Sequence, residues 1–301
     1  MTHVLTLVTA QGGTVLSDKH FKETGKILTH YNLEYTGKPV WLDKGIAGEV
    51  GLSGSSQSSL TSHLRDFFEQ DKIDFFITPA EKRQKKLLLA DMDSTIAESE
   101  TLDELAAFAG IKDKVAEITA RAMEGKLDFH EALKERVKLL EGLPVKALHD
   151  TLEQTALNPG AEVFVKTMRA HGAMCVLVSG GFTFFTAAIG ERCGFDHNHG
   201  NTLNIENERL TGRVIEPILD KFSKVDFLEN YMNDLGLGAE DCLTIGDGAN
   251  DIPMLKMAGL GIGYKPKNAV ADEIGNCIIH GDLCSALYSQ GFARKHFQGY
   301  V

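Results

Sequence analysis

The sequence predicts an α/β fold: a doubly wound parallel sheet with a helical cap insertion, preceded by a small α+β ferredoxin-like unit. Three observations carry this reading. The apolar runs Leu87–Ala90, Met174–Val178 and Cys242–Ile245 are bounded by polar residues, as strands buried on both faces are. Helical patterns alternate with such runs across residues 87–301, the pattern of a doubly wound sheet. Residues 1–78 instead follow the order βαββαβ of a ferredoxin-like sandwich.

Within that first unit, His3–Thr9 alternates apolar and polar residues, as a half-buried strand does. Ser17–His30 has helical spacing, with Phe21, Ile27 and Leu28 toward the core. Two weaker strands are expected near Leu33–Val40 and Gly48–Leu52. A Gly/Ser-rich loop over 51–59 leads into a helix from Ser56 to Glu69, with Leu60, Leu64, Phe67 and Phe68 on one side. Ile73–Ile77 closes the unit as a strand. The charged run 79–86 then reads as a solvated linker. From Glu100 to about Pro159 the pattern is helical with no convincing strand. An insertion there would sit above the carboxyl end of the first catalytic strand, where a lid belongs. Leu203–Val214 alternates around Asn207-Glu208 and predicts a β-hairpin flap.

Composition narrows the function classes. The 301 residues suffice for two domains, and 43% hydrophobic with 24% charged residues is ordinary for a globular protein. A net charge of −11 disfavours non-specific binding to nucleic acid or to anionic membranes. No apolar stretch approaches the roughly 20 residues of a membrane span. The start, Met1-Thr2-His3-Val4-Leu5, lacks the basic and apolar regions of a signal peptide. Cys175, Cys193, Cys242, Cys277 and Cys284 form no Cys-x-x-Cys pair and read as reduced structural thiols. A cytoplasmic location is the resulting expectation.

The chemistry gathers where the strands end. In an open parallel sheet, ligands bind beyond the carboxyl ends of the strands. Asp91-Met92-Asp93-Ser94-Thr95 follows the first run, Ser179-Gly180-Gly181 the second, and Gly246-Asp247-Gly248-Ala249-Asn250-Asp251 the third. Asp91 is placed to attack phosphorus, and Asp93, two residues on, to exchange protons with the leaving oxygen and with water. Two aspartates capping a turn are the plainer alternative. Asn250 and Asp251 open a helix, where an N-cap role is equally natural. Ser179 and the two glycine amides, ahead of the helix Thr183–Cys193, make an anion site. Lys224 could supply the positive charge a phosphate needs, although a lone lysine is otherwise a solvated side chain. Crowded carboxylates require a neutralising cation, and hard oxygen ligands suit Mg²⁺.

Together these motifs resemble the phosphoserine phosphatases of the haloacid dehalogenase superfamily. The resemblance rests on Asp91–Thr95 with Glu98-Ser99-Glu100, Arg136-Val137, Val178–Phe182, Lys224 and Gly246–Asp251, and covers residues 85 to about 285. It implies Mg²⁺-dependent hydrolysis of O-phosphoserine to serine and phosphate, the last step of serine biosynthesis, through an aspartyl phosphate. It implies Asp91 as nucleophile and Asp93 as general acid/base. Asp91, the backbone carbonyl of Asp93, and Asp247 would hold the metal, with Asp251 in or next to its shell. Ser179, Gly180, Lys224 and Asn250 would bind the phosphorylated substrate, Glu100 would face its ammonium and Arg136 its carboxylate. Physics agrees with that last pair, since one anionic and one bidentate cationic side chain read both groups on the substrate's α-carbon. Met123 and Phe129 are expected as apolar lid residues. Residues 1–78 weakly resemble ACT-like domains, for which amino-acid binding and a structural or homodimerising role are both open.

Other signals are weaker. His197-Asn198-His199 has metal-like spacing without a third ligand nearby and reads as a polar loop. Gly261-Ile262-Gly263 lacks the third glycine of a dinucleotide fingerprint. A receiver domain would lack the lid and Asp93, and an ion-pumping ATPase would need membrane spans. A phosphotransferase, passing the phosphoryl group to an alcohol such as homoserine, would use the same site, as would another small-molecule phosphomonoesterase.

Overall fold

The computed structural model describes residues 2–54, 58–123 and 126–299. Two sheets organise them. The first comprises β1 (His3–Thr9), β2 (Glu34–Tyr35), β3 (Val40–Asp43), β4 (Ala47–Ser53) and β5 (Ile73–Pro79), all paired antiparallel. Its order is β2-β4-β1-β5, the ferredoxin-like arrangement, with β3 added beside β4. The expected strand over 33–40 therefore splits into two short ones. Gly37 and Pro39 interrupt it, and proline has no amide to give a ladder. Helices α1 (Asp18–His30) and α2 (Ser58–Phe68) cover one face, where Leu5, Leu7, Phe21, Leu28, Leu64 and Phe75 pack together.

The second sheet runs β12-β11-β10-β6-β7-β8-β9. Its strands are β6 (Leu87–Ala90), β7 (Met174–Phe182), β8 (His197–Glu206), β9 (Arg209–Ile215), β10 (Cys242–Gly246), β11 (Leu260–Tyr264) and β12 (Cys277–Ile278). All neighbours are parallel except the β8–β9 hairpin. The hairpin turns through Asn207 and Glu208, both at positive φ (50° and 58°), the primed turn that matches strand twist. Successive residues of β6 enter opposite cores: Leu88 and Ala90 join one, Leu87 and Leu89 the other. That is why the run has no polar alternation. The chain order reverses at β6, with β7 on one side and β10 on the other, so the switch point lies at its carboxyl end.

Above that end stand the cap helices α3 (Thr101–Phe108), α4 (Lys112–Met123), α5 (Phe129–Lys138) and α6 (Lys146–Gln154). The body helices are α7 (Ala161–Ala170), α8 (Thr183–Cys193), α9 (Lys221–Leu235), α10 (Ile252–Met257), α11 (Asn268–Glu273) and α12 (Ser285–Tyr288). No helix of the described residues is long and apolar enough to cross a membrane. All five cysteines are free and buried.

Three expectations change. His197, Asn198 and His199 lie on β8, paired in register with Val176, Leu177 and Val178, and are not a loop. His199 stacks on Phe227 and exchanges a hydrogen bond with Tyr231 (2.9 Å), so its role is packing. Strand β1 is buried on both faces, not half-buried. Its second face, with Val8 beside Ala47 and Phe76, joins the core of the parallel-sheet body. The basic run 79–86 is anchored rather than solvated. Arg83 pairs with Glu49 (2.7 Å), and the buried Lys85 donates to the carbonyls of Lys82 (2.8 Å) and Glu240 (2.7 Å).

The contact between the two sheets centres on Asp74 of β5, which is buried. Its carboxylate accepts backbone N–H groups of Ile279 (3.0 Å), His280 (3.1 Å) and Gly281 (2.8 Å). Arg65 of α2 donates to the carbonyls of Ala271 and Ile274 nearby (2.5 and 2.7 Å). Asp74→Ala leaves three backbone donors without their acceptor, and each hydrogen bond to a charged group is worth about 1.5–3 kcal/mol. The variant is expected to lose at least about 3 kcal/mol of stability in urea unfolding. A loss below about 1 kcal/mol, within the range of ordinary surface changes, would show that the clamp contributes little.

Candidate active site

Asp91 follows the last residue of β6, and its N–H donates to the carbonyl of Ile245 on β10 (3.0 Å), so the carboxylate stands at the switch point. Asp247 follows β10, and Asp251 lies one short turn later. Carboxylate oxygens of Asp91, Asp247 and Asp251 all lie within 4.8 Å of one another, and all three residues are buried. Lys224, from the first turn of α9, inserts its ammonium between Asp91 and Asp251, the latter at 2.5 Å. It is buried, which overturns the reading of a solvated lysine. Burial alone would lower its pKa, but Asp251 and Asp91 outweigh burial and hold it charged.

Asp251 does not cap α10 with its side chain. Its Oδ2 instead accepts the N–H groups of Asp247 and Gly248 (both 3.1 Å), which fixes the preceding loop. A Cβ at Gly246 would meet that oxygen at 2.4 Å, so only glycine admits this fold-back.

Asp93 turns away from the three-carboxylate cluster. Its Oδ1 accepts the Thr101 N–H (2.7 Å) and its Oδ2 accepts the Ser179 hydroxyl (2.9 Å). Ser179 Oγ in turn accepts the Gly181 N–H (2.7 Å). A Cβ on Gly181 would approach Asp93 Oδ2 to 2.8 Å, so glycine is what lets β7 come this close. Ser94 carries the loop through a left-handed φ of 59° and donates its hydroxyl to Glu100 (3.1 Å).

These residues line one cleft of about 590 Å³ between sheet and cap. Asp91, Asp93, Ser179, Gly180, Asp247 and Asn250 form its floor and wall, and Glu100 and Arg136 come from the cap side. Lys224 and Asp251 do not line it; they pair with each other, and Lys224 also pairs with Asp91, behind the cleft wall. Phe129 lies over Gly180, 3.3 Å from where a Cβ would stand. The Met123 side chain lies outside the described residues. Burial holds the Asp91 carboxyl well above its usual range; Lys224 opposes this, and Asp251 and Asp93 reinforce it. Burial likewise raises Asp247 and Glu100, the latter with help from Asp93. Burial works against the Arg136 guanidinium, while Asp103 and Glu100 favour its charge.

The cluster therefore has three buried carboxylates against one buried ammonium. Hard oxygen donors with that imbalance fit a divalent cation.

Some contributors escaped the sequence reading. Lys267 lines the cleft and pairs with Asp247 (3.0 Å). It lies just past β11, and the strand-end rule that found Asp91 could have found it. Asn158 donates to the carbonyls of Thr95 and Ala97 (both 2.9 Å) and braces the Asp91 loop. No local pattern marks that residue.

Removing one partner from a buried ionic cluster typically costs about 3–5 kcal/mol. Lys224→Met is expected to lose that much in urea unfolding with chelator present. A loss below about 1 kcal/mol would mean that the ammonium does not hold the carboxylates together.

Known proteins resemble this chain over most of its length. The haloacid dehalogenase-like hydrolase family matches residues 88–256. A phosphoserine phosphatase from Archaeoglobus fulgidus is 40% identical over 236 residues, covering 78% of this chain and 69% of that protein. One from Streptomyces coelicolor is 35% identical over 254 residues, covering 84% of this chain, which spans 62% of its length. The crystal structure of a probable phosphoserine phosphatase from Vibrio cholerae superposes with a TM-score of 0.78 at 26% identity, over 98% of this chain and 88% of that one. The matched stretch runs from β6 into α10 and so spans the switch point, the cap and every strand end that carries an acid of the cleft. The chain belongs to the haloacid dehalogenase-like hydrolase family.

Proposed function

We propose that this chain is a phosphoserine phosphatase that hydrolyses O-phosphoserine through an aspartyl phosphate. The observation that carries the reading is one cleft holding both Asp91 and Asp93 at its floor and both Glu100 and Arg136 on its cap side. The names of the relatives point the same way.

In the first step an Asp91 carboxylate oxygen attacks phosphorus and the bond to the serine oxygen breaks. Protonated Asp93 gives its proton to that oxygen, so serine leaves neutral at its hydroxyl. In the second step water attacks the aspartyl phosphate, Asp93 takes the water's proton, and phosphate departs. The hydrogen bond from the Thr101 N–H holds Asp93 in place for both transfers, while the Ser179 hydroxyl, with one proton to give, turns from Asp93 to the phosphoryl group. Ser179 and the Gly180 amide bind phosphoryl oxygens, with Asn250 at the rim. Lys224 orients Asp91 from behind and opposes the rise that burial gives its pKa. Glu100 and Arg136 read the substrate ammonium and carboxylate, and Phe129 adds apolar surface over Gly180.

Asp91, Asp247 and the Asp93 backbone carbonyl would hold Mg²⁺, with Asp251 beside them. When bound, it would neutralise the carboxylates and draw charge from the phosphoryl oxygens. Phosphate release is expected to vanish with a chelator and to return with Mg²⁺; full activity in metal-free buffer would refute the metal.

Substrate choice gives a sharper test. A charge-assisted contact is worth about 1.5–3 kcal/mol, or roughly ten- to a hundredfold. Arg136→Ala should raise KM for phosphoserine by that factor and barely alter hydrolysis of p-nitrophenyl phosphate, which lacks both α-groups. Equal loss on both substrates would assign Arg136 to structure or phosphate binding and remove the case for phosphoserine.

A further inference from the structure

We propose that Lys267 is a positioning residue that sets the affinity of the cleft for its two cationic ligands, by competing with the divalent cation for Asp247 and with the substrate ammonium for Glu100. The inference rests on the phosphoserine reading of the cleft.

Lys267 lies beyond the end of β11, at the start of α11. Its backbone N–H donates to the Asp247 carbonyl (3.0 Å), which ties its position to the loop bearing that carboxylate. Its Nζ stands 3.0 Å from Asp247 Oδ2 and 3.9 Å from Glu100 Oε1. One ammonium thus spans a carboxylate of the metal cluster and the carboxylate assigned to the substrate amine.

Lys267 and Lys224 are not equivalent. Lys224 is buried behind the acids and lies outside the cleft lining. The Lys267 side chain is 62% exposed and lines the cleft. It can leave for water at small cost, because a flexible lysine stem gives up little when its head is rehydrated. A dication arriving at Asp247 would face the ammonium at close range, and like charges so placed repel. An ammonium arriving at Glu100 meets the same obstacle. Either ligand must move Lys267, so its charge weakens both. In exchange, the pairing partly neutralises two carboxylates while the cleft is free of ligand, offsetting the crowding that burial makes costly.

Isothermal titration calorimetry with Mg²⁺, on the full chain without substrate, tests the first half. Lys267→Met is expected to bind Mg²⁺ about tenfold more tightly than wild type, a typical size for coupling between charged sites. Lys267→Arg, which keeps the charge, should bind as wild type does. Steady-state kinetics tests the second half: Lys267→Met should lower KM for phosphoserine and leave KM for p-nitrophenyl phosphate unchanged at saturating Mg²⁺. Unchanged or weaker Mg²⁺ binding by Lys267→Met, or equal KM shifts on both substrates, overturns the proposal. Wild-type protein that binds no Mg²⁺, or that fails to hydrolyse phosphoserine, would instead refute the underlying function.

Discussion

The ammonium of Lys224, enclosed between Asp91 and Asp251, is the contact on which the rest of the site depends. It joins the side chains of three pieces of chain: the end of β6, the first turn of α9 and the loop after β10. Asp251 passes the constraint on, because its other oxygen holds the amides of Asp247 and Gly248. The loop bearing Asp247 is thereby set relative to Asp91. This ammonium offsets part of the charge of three buried carboxylates, and what is left uncompensated makes the cleft receptive to a cation.

Around that rigid floor the protein arranges parts with different freedom. The sheet below is packed on both faces, with β6 residues entering two separate cores. Such packing transmits strain and does not bend, so the strand ends keep their spacing. The cap contributes through Glu100, from just before α3, and through Phe129 and Arg136 of α5. The groups assigned to bond-making thus sit on the body, and those assigned to recognising the substrate sit on the cap. The Thr101 N–H on Asp93 links the two parts, so the cap also positions one of the groups assigned to bond-making.

The amino-terminal sheet is not a freely tethered module. Val8, Leu42, Ala47 and Phe76 are part of the same apolar cluster as Leu88 and Ile245 beneath the cleft. Asp74 and Arg65 add charged contacts to backbone groups around α11 and β12. Tyr288 and Arg294 reach back to Asp43 (2.9 and 3.3 Å). A ligand or partner acting on this sheet would therefore act on the edge of the catalytic sheet as well.

The sequence by itself determined the parts governed by local rules. Period and length marked β6, β7 and β10, since a strand buried on both faces needs an unbroken apolar run. The acids after those runs announced the site, because strand ends in a parallel sheet converge whatever the intervening chain does. Asn207-Glu208 marked the hairpin turn. Tertiary structure alone decided what depends on partners distant in the chain. Lys224 was expected to supply positive charge to the phosphoryl group, but its burial between Asp91 and Asp251 depends on partners 133 and 27 positions away. Asp251 was open to a helix-cap role beside a place at the metal site, and its side chain turned to the loop, where Gly246 leaves room, without capping the helix. His197 and His199 looked like loop residues, and β7 drew them into a strand by pairing. Strand β1 looked half-buried, because alternation in one strand cannot report a second body packing on its polar face. Asn158 acts through contacts to Thr95 and Ala97 made only when separate segments meet, and such contacts leave no period, spacing or composition to read.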